Sequence, residues 1–274
     1  ARFERAASAL AALKHRGIVP LLDAGVVDDR FYVVTPLVDG ESVRDLLDRH
    51  RQGLPQREAV SIAWQVAGAL AFAHKRGVVH GDVRSAHILV TSDGRALLTG
   101  FSPASALEGG AFTSTPAYAS PEQVGGAPPT AQSDLYALGV TLYEMVTGRV
   151  PFGGVDAAAV LEKHLREPPV PPRDAGAAIE PALEAIIMRL LEKSPGARYD
   201  SAAAVRAALQ SEADTGKYRT LSLRGASLRE AGDDETLAQL QQARQAKRAK
   251  RRKRTGPLGG LLDRLRGGQR GPKL

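Results

Sequence analysis

At 274 residues and 29.0 kDa, with 43% hydrophobic and 24% charged side chains, the chain has the composition of a globular protein of fewer than two average domains and enough apolar residues for a sizeable core. There is no cysteine, which excludes a disulfide scaffold, a thiol nucleophile and thiolate metal sites. The formal net charge of +7 is concentrated at one end. Residues 244–254 (RQAKRAKRRKR) hold eight Lys or Arg and no acid, residues 255–274 add an excess of three, and residues 1–243 are left at −4.

Apolar residues near helical spacing predict one helix over 2–14. VPLLDAGVV (19–27) and RFYVVTPLV (30–38) are β-branched and aromatic runs flanking Asp28 and Asp29, which predicts a hairpin. Residues 57–76, with Trp64, Val66, Leu70 and Phe72 before Gly77, predict a helix. HILV and ALLTG, either side of Asp93-Gly94, read as two short strands. From Ser133 the pattern is helical, broken at Pro151, at PPVPP (168–172) and at Pro195. The expected division is a body at 1–210, a polar linker and the start of a helix at 211–243, and a basic tail at 244–274. No run of about 18 apolar residues and no secretory-type leader is present, so a cytoplasmic location is expected.

The informative segment is His80-Gly81-Asp82-Val83-Arg84-Ser85-Ala86-His87-Ile88-Leu89. An aspartate between two short apolar runs is by itself an ordinary turn residue. Around it lie HRGIVPLLDAG, FYVVTPLVDGESVRDLL and ALAFAHKRGVVHGD upstream. LLTGFS, STPAYASPEQ, SDLYALGVTLYEMVTGRVPF and KSPGARYDS follow downstream. In order and spacing this set resembles the bacterial branch of the eukaryotic-type serine/threonine protein kinases, over roughly residues 2–209. The resemblance implies an α+β protein-kinase-like fold: a mostly helical C-terminal lobe and a β small lobe. That small lobe is truncated here, since the chain begins at the family's αC helix, without the Gly-rich loop or the lysine strand.

Position by position, the resemblance keeps the scaffold and alters the metal chemistry. Asp82 stands where the family's catalytic loop has its base, and Arg84 where it has a lysine. Gly81 replaces an arginine that would grip a phosphorylated activation loop. His87 replaces the metal-binding asparagine, and Gly100 replaces the aspartate of D-F-G, with Phe101 kept. Mg²⁺ favours oxygen donors, so no metal site is expected. The αC glutamate position falls on Ala6; Glu4 lies about half a turn away. Glu122 and Arg198 are expected to clamp the activation segment, Asp134 to hold the catalytic-loop backbone, and Thr115 to contact Asp82. Thr35 at the gatekeeper, hinge residues Pro36 and Val38, and Leu89 as floor would form the adenine slot. ATP is expected to bind weakly and Mg²⁺ not to.

These expectations favour a pseudokinase that acts in signalling by binding a partner protein. The alternative is an active serine/threonine kinase whose missing lobe lies upstream; a third reading is a tethered adaptor. For 244–254 the functional partner expected is an anionic membrane surface at the inner face. Nucleic acid is less favoured, because the tail has no aromatic residue for stacking, and a solvated helix end is the plain alternative.

Overall fold

The helix expected at the start forms over Arg2–Ala11 (α1), shorter than the predicted 2–14, and buries Leu10 while the turn beyond it buries Leu13 and Ile18. The computed structural model describes residues 2–27, 30–101 and 115–215. The hairpin is antiparallel, Asp23–Val27 (β1) with Arg30–Val34 (β2), in a register that sets Asp23 opposite Val34. It is shorter than the apolar runs implied, because Val19, Leu21 and Leu22 enter irregular backbone and Pro36 cannot donate to a ladder. At Gly25 a β-carbon would lie 2.6–2.8 Å from the end of the Tyr32 side chain, which would have to move to admit it.

A second sheet orders Gly40–Ser42 (β3), Ile88–Thr91 (β4) and Ala96–Leu98 (β5), all antiparallel. β3 is absent from the sequence reading, since G-E-S carries no apolar alternation. It exists because it pairs with β4 and ends in a capping box. The Asp45 N–H donates to Ser42 Oγ and the Ser42 N–H to Asp45 Oδ2, both at 3.1 Å, starting Val43–Arg49 (α2).

The core is built on Gln56–His74 (α3) and Ala131–Thr147 (α5). Every residue of α5 from Ser133 to Val146 is buried, so the helix is enclosed all round. It begins at a Thr130–Ser133 capping box and ends at Gly148 (φ +74), where a β-carbon would meet the Arg51 carbonyl. Pro121–Val124 (α4), Ala157–Arg166 (α6), Pro181–Leu190 (α7) and Ala202–Thr215 (α8) complete the helical body. The breaks at Pro151, 168–172 and Pro195 all fall between elements. α8 packs on α3 and continues past residue 210. Chain contacts divide the protein at Thr220, and residues 216–274, which include most of the expected linker and all of the tail, lie outside the described residues.

His164 of α6 carries a consequence for stability. It is fully buried, accepts the Tyr136 hydroxyl on Nδ1 at 2.9 Å, and sets Nε2 against the Ala117 backbone without a hydrogen bond of good geometry. Burial first, then the Lys193 charge, lower its pKa from 6.5 to about 4. Between those values the unfolded chain takes up a proton that the folded chain refuses. Stability is therefore complete above about 6.5 and is lost as pH falls towards 4. Going from pH 7 to 5 should cost about 2 kcal/mol through this group. In melting curves His164→Gln should flatten that slope; a slope equal to the parent's would remove His164 as its source.

Candidate active site

The loop from His80 to His87 is held from below by α5. Asp134, 1% exposed in the first turn of that helix, accepts the His80 N–H on Oδ2 at 2.9 Å and the Gly81 N–H on Oδ1 at 2.8 Å. His74 Nε2 donates to Oδ2 at 2.7 Å. A buried carboxylate is tolerated because three donors converge on it. Gly81 adopts φ +80, a conformation glycine takes without strain, and this lets two successive amides face Asp134. Asp134 thus bonds the backbone of two successive residues of this loop.

His80 has a part that the sequence reading did not assign. It is buried, accepts the Asp82 N–H on Nδ1 at 3.2 Å and donates Nε2–H to the Thr99 carbonyl at 2.8 Å. Burial lowers its pKa and the imidazole is neutral. Phe101 packs on it edge-on with ring centres 4.4 Å apart. His80 thus ties the catalytic loop to the end of β5.

Asp82, Arg84 and His87 come together as the motif implies, but in a closed arrangement. Arg84 Nε donates to Asp82 Oδ2 at 3.2 Å, and His87 Nδ1 lies 3.3 Å from the same oxygen. Oδ1 is buried and accepts no hydrogen bond. Arg84 Nη2 is 3.0 Å from His87 Nε2, and a guanidinium only donates, so Nε2 is the acceptor and Nδ1 carries the proton. That proton goes to the Asp82 backbone carbonyl at 2.8 Å. Neither ring nitrogen keeps a lone pair for a metal.

Gly100, φ +88, lies directly under this ring: a β-carbon there would be 2.7 Å from His87 Nδ1 and 2.8 Å from Cγ. Positions 87 and 100 are therefore one interlocked unit, and the imidazole fills the place where a side chain at 100 would begin. Among the described residues no group of three or more His, Asp or Glu gathers in a form that suits a metal ion. His87 and Gly100 offer no side-chain oxygen at the two positions where the resemblance expects metal ligands.

A cavity of about 300 Å³ lies beside the loop, lined by Leu10, Leu13, Val33, Thr35, Gly100 and Phe101 among others. Of the four residues expected to form an adenine slot, Thr35 lines it while Pro36, Val38 and Leu89 do not. Leu89 lies in β4, opposite Ser42 and Leu97. Thr115 makes no hydrogen bond to Asp82; it precedes the 3-10 turn Pro116–Tyr118, and its carbonyl accepts the Tyr118 N–H.

Tyr118 starts a second network missed at the sequence level. Its hydroxyl is within 3.0 Å of Ser85 Oγ and donates to Glu144 Oε2 at 2.6 Å, and Arg44 donates to Glu144 Oε1 at 3.3 Å. Burial, then the Glu144 charge, pushes the Tyr118 pKa upward and keeps the phenol protonated. Farther along, Arg198 forks onto Glu122 with two bonds of 2.8 Å.

A buried aspartate gripping a catalytic-loop backbone, a Glu–Arg clamp and a helical body beside small antiparallel sheets define a protein kinase domain. Residues 2–210 match that family, and the chain belongs to it. A probable serine/threonine-protein kinase of Clostridium perfringens is 39% identical over 207 residues, 73% of this chain and 30% of its own length. Serine/threonine-protein kinase PknB of Mycolicibacterium smegmatis is 38% identical over 221 residues, 76% of this chain and 35% of its own. PknB of Mycobacterium leprae is 36% identical over 220 residues with the same coverage. The chain spans about a third of the length of these curated relatives. Among the described residues no helix is long and apolar enough to cross a membrane.

Proposed function

We propose that this domain acts in signalling by binding a partner protein, with phosphoryl transfer curtailed. The observation behind the reading is the His87 imidazole locked between Arg84 and the Asp82 carbonyl, over Gly100. Phosphoryl transfer depends on positioning and on neutralising charge, and the family's two metal-holding side chains are replaced here. ATP is then expected to bind weakly, with an affinity that Mg²⁺ does not alter.

The second reading is an active serine/threonine kinase. It is favoured by relatives at 36–39% identity that are all named serine/threonine-protein kinases, and by the retained Asp82 with a cation at Arg84. Transfer of radiolabelled phosphate from Mg-ATP to a generic basic protein separates the two. Incorporation at background level, equal in Asp82→Asn, supports the binding role. Robust incorporation that Asp82→Asn abolishes establishes the kinase.

For 244–254 we propose an anionic membrane surface at the inner face, since eight cations follow a mildly acidic body. Each cation near such a surface contributes about 1 kcal/mol. Binding to anionic vesicles should be tight at low salt and collapse as the Debye length falls towards about 3 Å at 1 M. A chain ending at residue 243 should lose it without change in melting temperature. If a single-stranded oligonucleotide binds more tightly than vesicles, or neither binds better than to the shortened chain, this proposal fails.

A further inference from the structure

A second concentration of charge lies outside the catalytic loop, along one stripe of α3. Trp64, Gly68 and Phe72 recur at four-residue spacing, and Arg76 follows one turn further, so the stripe is about 18 Å long. Three separate elements place cations on it. Arg206 of α8 lays its guanidinium over the Trp64 ring, 4.0 Å from the centroid, and crosses Gly68, whose β-carbon would lie 3.4 Å from its Nε. The turn carrying His15 and Arg16 follows: a β-carbon on Gly17 would sit 3.5 Å from Ala69, and the His15 ring is 4.9 Å from Phe72. Arg76 covers Phe72 at 3.5 Å.

Arg76 Nη1 donates to the Phe72 carbonyl at 3.2 Å. Arg206 Nε is buried with no hydrogen-bond partner. His15 Nδ1 accepts the Gly17 N–H at 3.1 Å, which leaves the proton on Nε2 as a donor. Burial lowers the His15 pKa, and every charge acting on it is positive: Arg16, Arg206 and Arg76. Burial and then Arg16 lower that of Arg206. The Arg206 and Arg76 guanidinium groups both act on the His15 ring, on a chain whose first 243 residues carry a net −4.

We propose that this stripe is a docking surface for an acidic segment of a partner polypeptide, whose carboxylates meet Arg206, His15 and Arg76 in turn. The length suits about five or six extended residues. Spread along the helix rather than converging on a point, the donors do not suit a single small anion. Guanidinium and imidazole groups already cover the Trp64 and Phe72 rings, so no bare aromatic face is offered for base stacking. The surface is independent of whether the catalytic loop transfers phosphate.

The test uses the full chain with blocked hexaglutamate as probe, read at the His15 ring by NMR, because the basic tail also attracts the peptide but contains no histidine. Hexaglutamate should raise the His15 titration midpoint by about one unit, since a nearby carboxylate favours the imidazolium. Hexaglutamine should not. Arg206→Gln and Arg76→Gln should each weaken the affinity read at His15 about three- to fivefold, as expected of partly exposed pairs. Arg76 is exposed, so its variant stands as the test if Arg206→Gln does not fold. An unmoved His15 midpoint at saturating hexaglutamate, or unchanged affinity in Arg76→Gln, overturns the proposal. So does inorganic phosphate or hexathymidylate moving His15 at lower concentration than the peptide.

Discussion

Arg198→Ala is expected to remove about 3–5 kcal/mol of stability, the cost of stranding one partner of a buried ion pair. For a domain of this size that is a fall of roughly 10 °C in melting temperature. The Arg198 side chain is 0% exposed and Glu122 is 15% exposed, so water cannot take over the lost contacts. Besides Glu122, the guanidinium donates to the Gln132 carbonyl at 2.8 Å, to Glu192 at 2.9 Å and to Lys193 at 3.2 Å. Removing it strands three backbone acceptors and leaves Glu122 with the Ser133 hydroxyl alone among its side-chain donors. The pH dependence provides a second signature. Burial raises the Glu122 pKa, but the bonds and charge of Arg198 outweigh it and the net shift is downward from 4.5. The pair's stabilisation is therefore present above the ordinary carboxylate pKa and is lost as pH falls through the lower folded value. Arg198→Ala should lose that acid sensitivity together with its stability. A variant that melts within a degree or two of the parent would show that the clamp is not holding the fold.

Gly100→Asp should by itself destabilise the protein by about 1–3 kcal/mol, and adding His87→Asn should recover most of the loss. A β-carbon at position 100 meets three atoms of the His87 ring at 2.7–3.0 Å. That ring is held at both nitrogens, so it cannot simply swing aside. Asparagine is shorter than histidine and relieves the overlap. Because the residues are in contact, their effects will not add, and the cycle of two single variants and the double measures the interlock directly. The double variant also brings two oxygen-bearing side chains to the positions where the family holds its metal. Mg²⁺ should raise its melting temperature and leave the parent unmoved. If Gly100→Asp alone is as stable as the parent, the ring is not fixed as described. Should Mg²⁺ shift the parent equally, the argument against metal at this loop fails.

The order of elements and the anchoring roles were legible in the residues themselves. α3 and α5 are long, continuously helical patterns bounded by Gly and Pro, and they form within two residues of their expected starts. Asp134, Glu122 and Arg198 sit in specific local motifs, and each makes hydrogen bonds to distant parts of the chain. β3 was not visible, because three polar residues become a strand only when β4 lies beside them. Leu89 was legible as an apolar residue, but its pairing with Ser42 and Leu97 in the three-stranded sheet was not.

His87 and Gly100 mark the same division at the site. Each substitution could be read singly as the loss of a metal-holding group, because residue type alone decides whether an oxygen ligand is available. That they form one unit was decided only when the β4–β5 hairpin brought the residue before β4 against the turn after β5. The stripe on α3 belongs to the same category: its aromatic spacing lies within one helix, whereas its cations come from the α1–β1 turn, from α8 and from beyond the helix end. Spacing along a chain encodes local periodicity and the residue types a motif requires. Which distant side chains share a surface, and whether their charges are matched, is set by packing of the whole core.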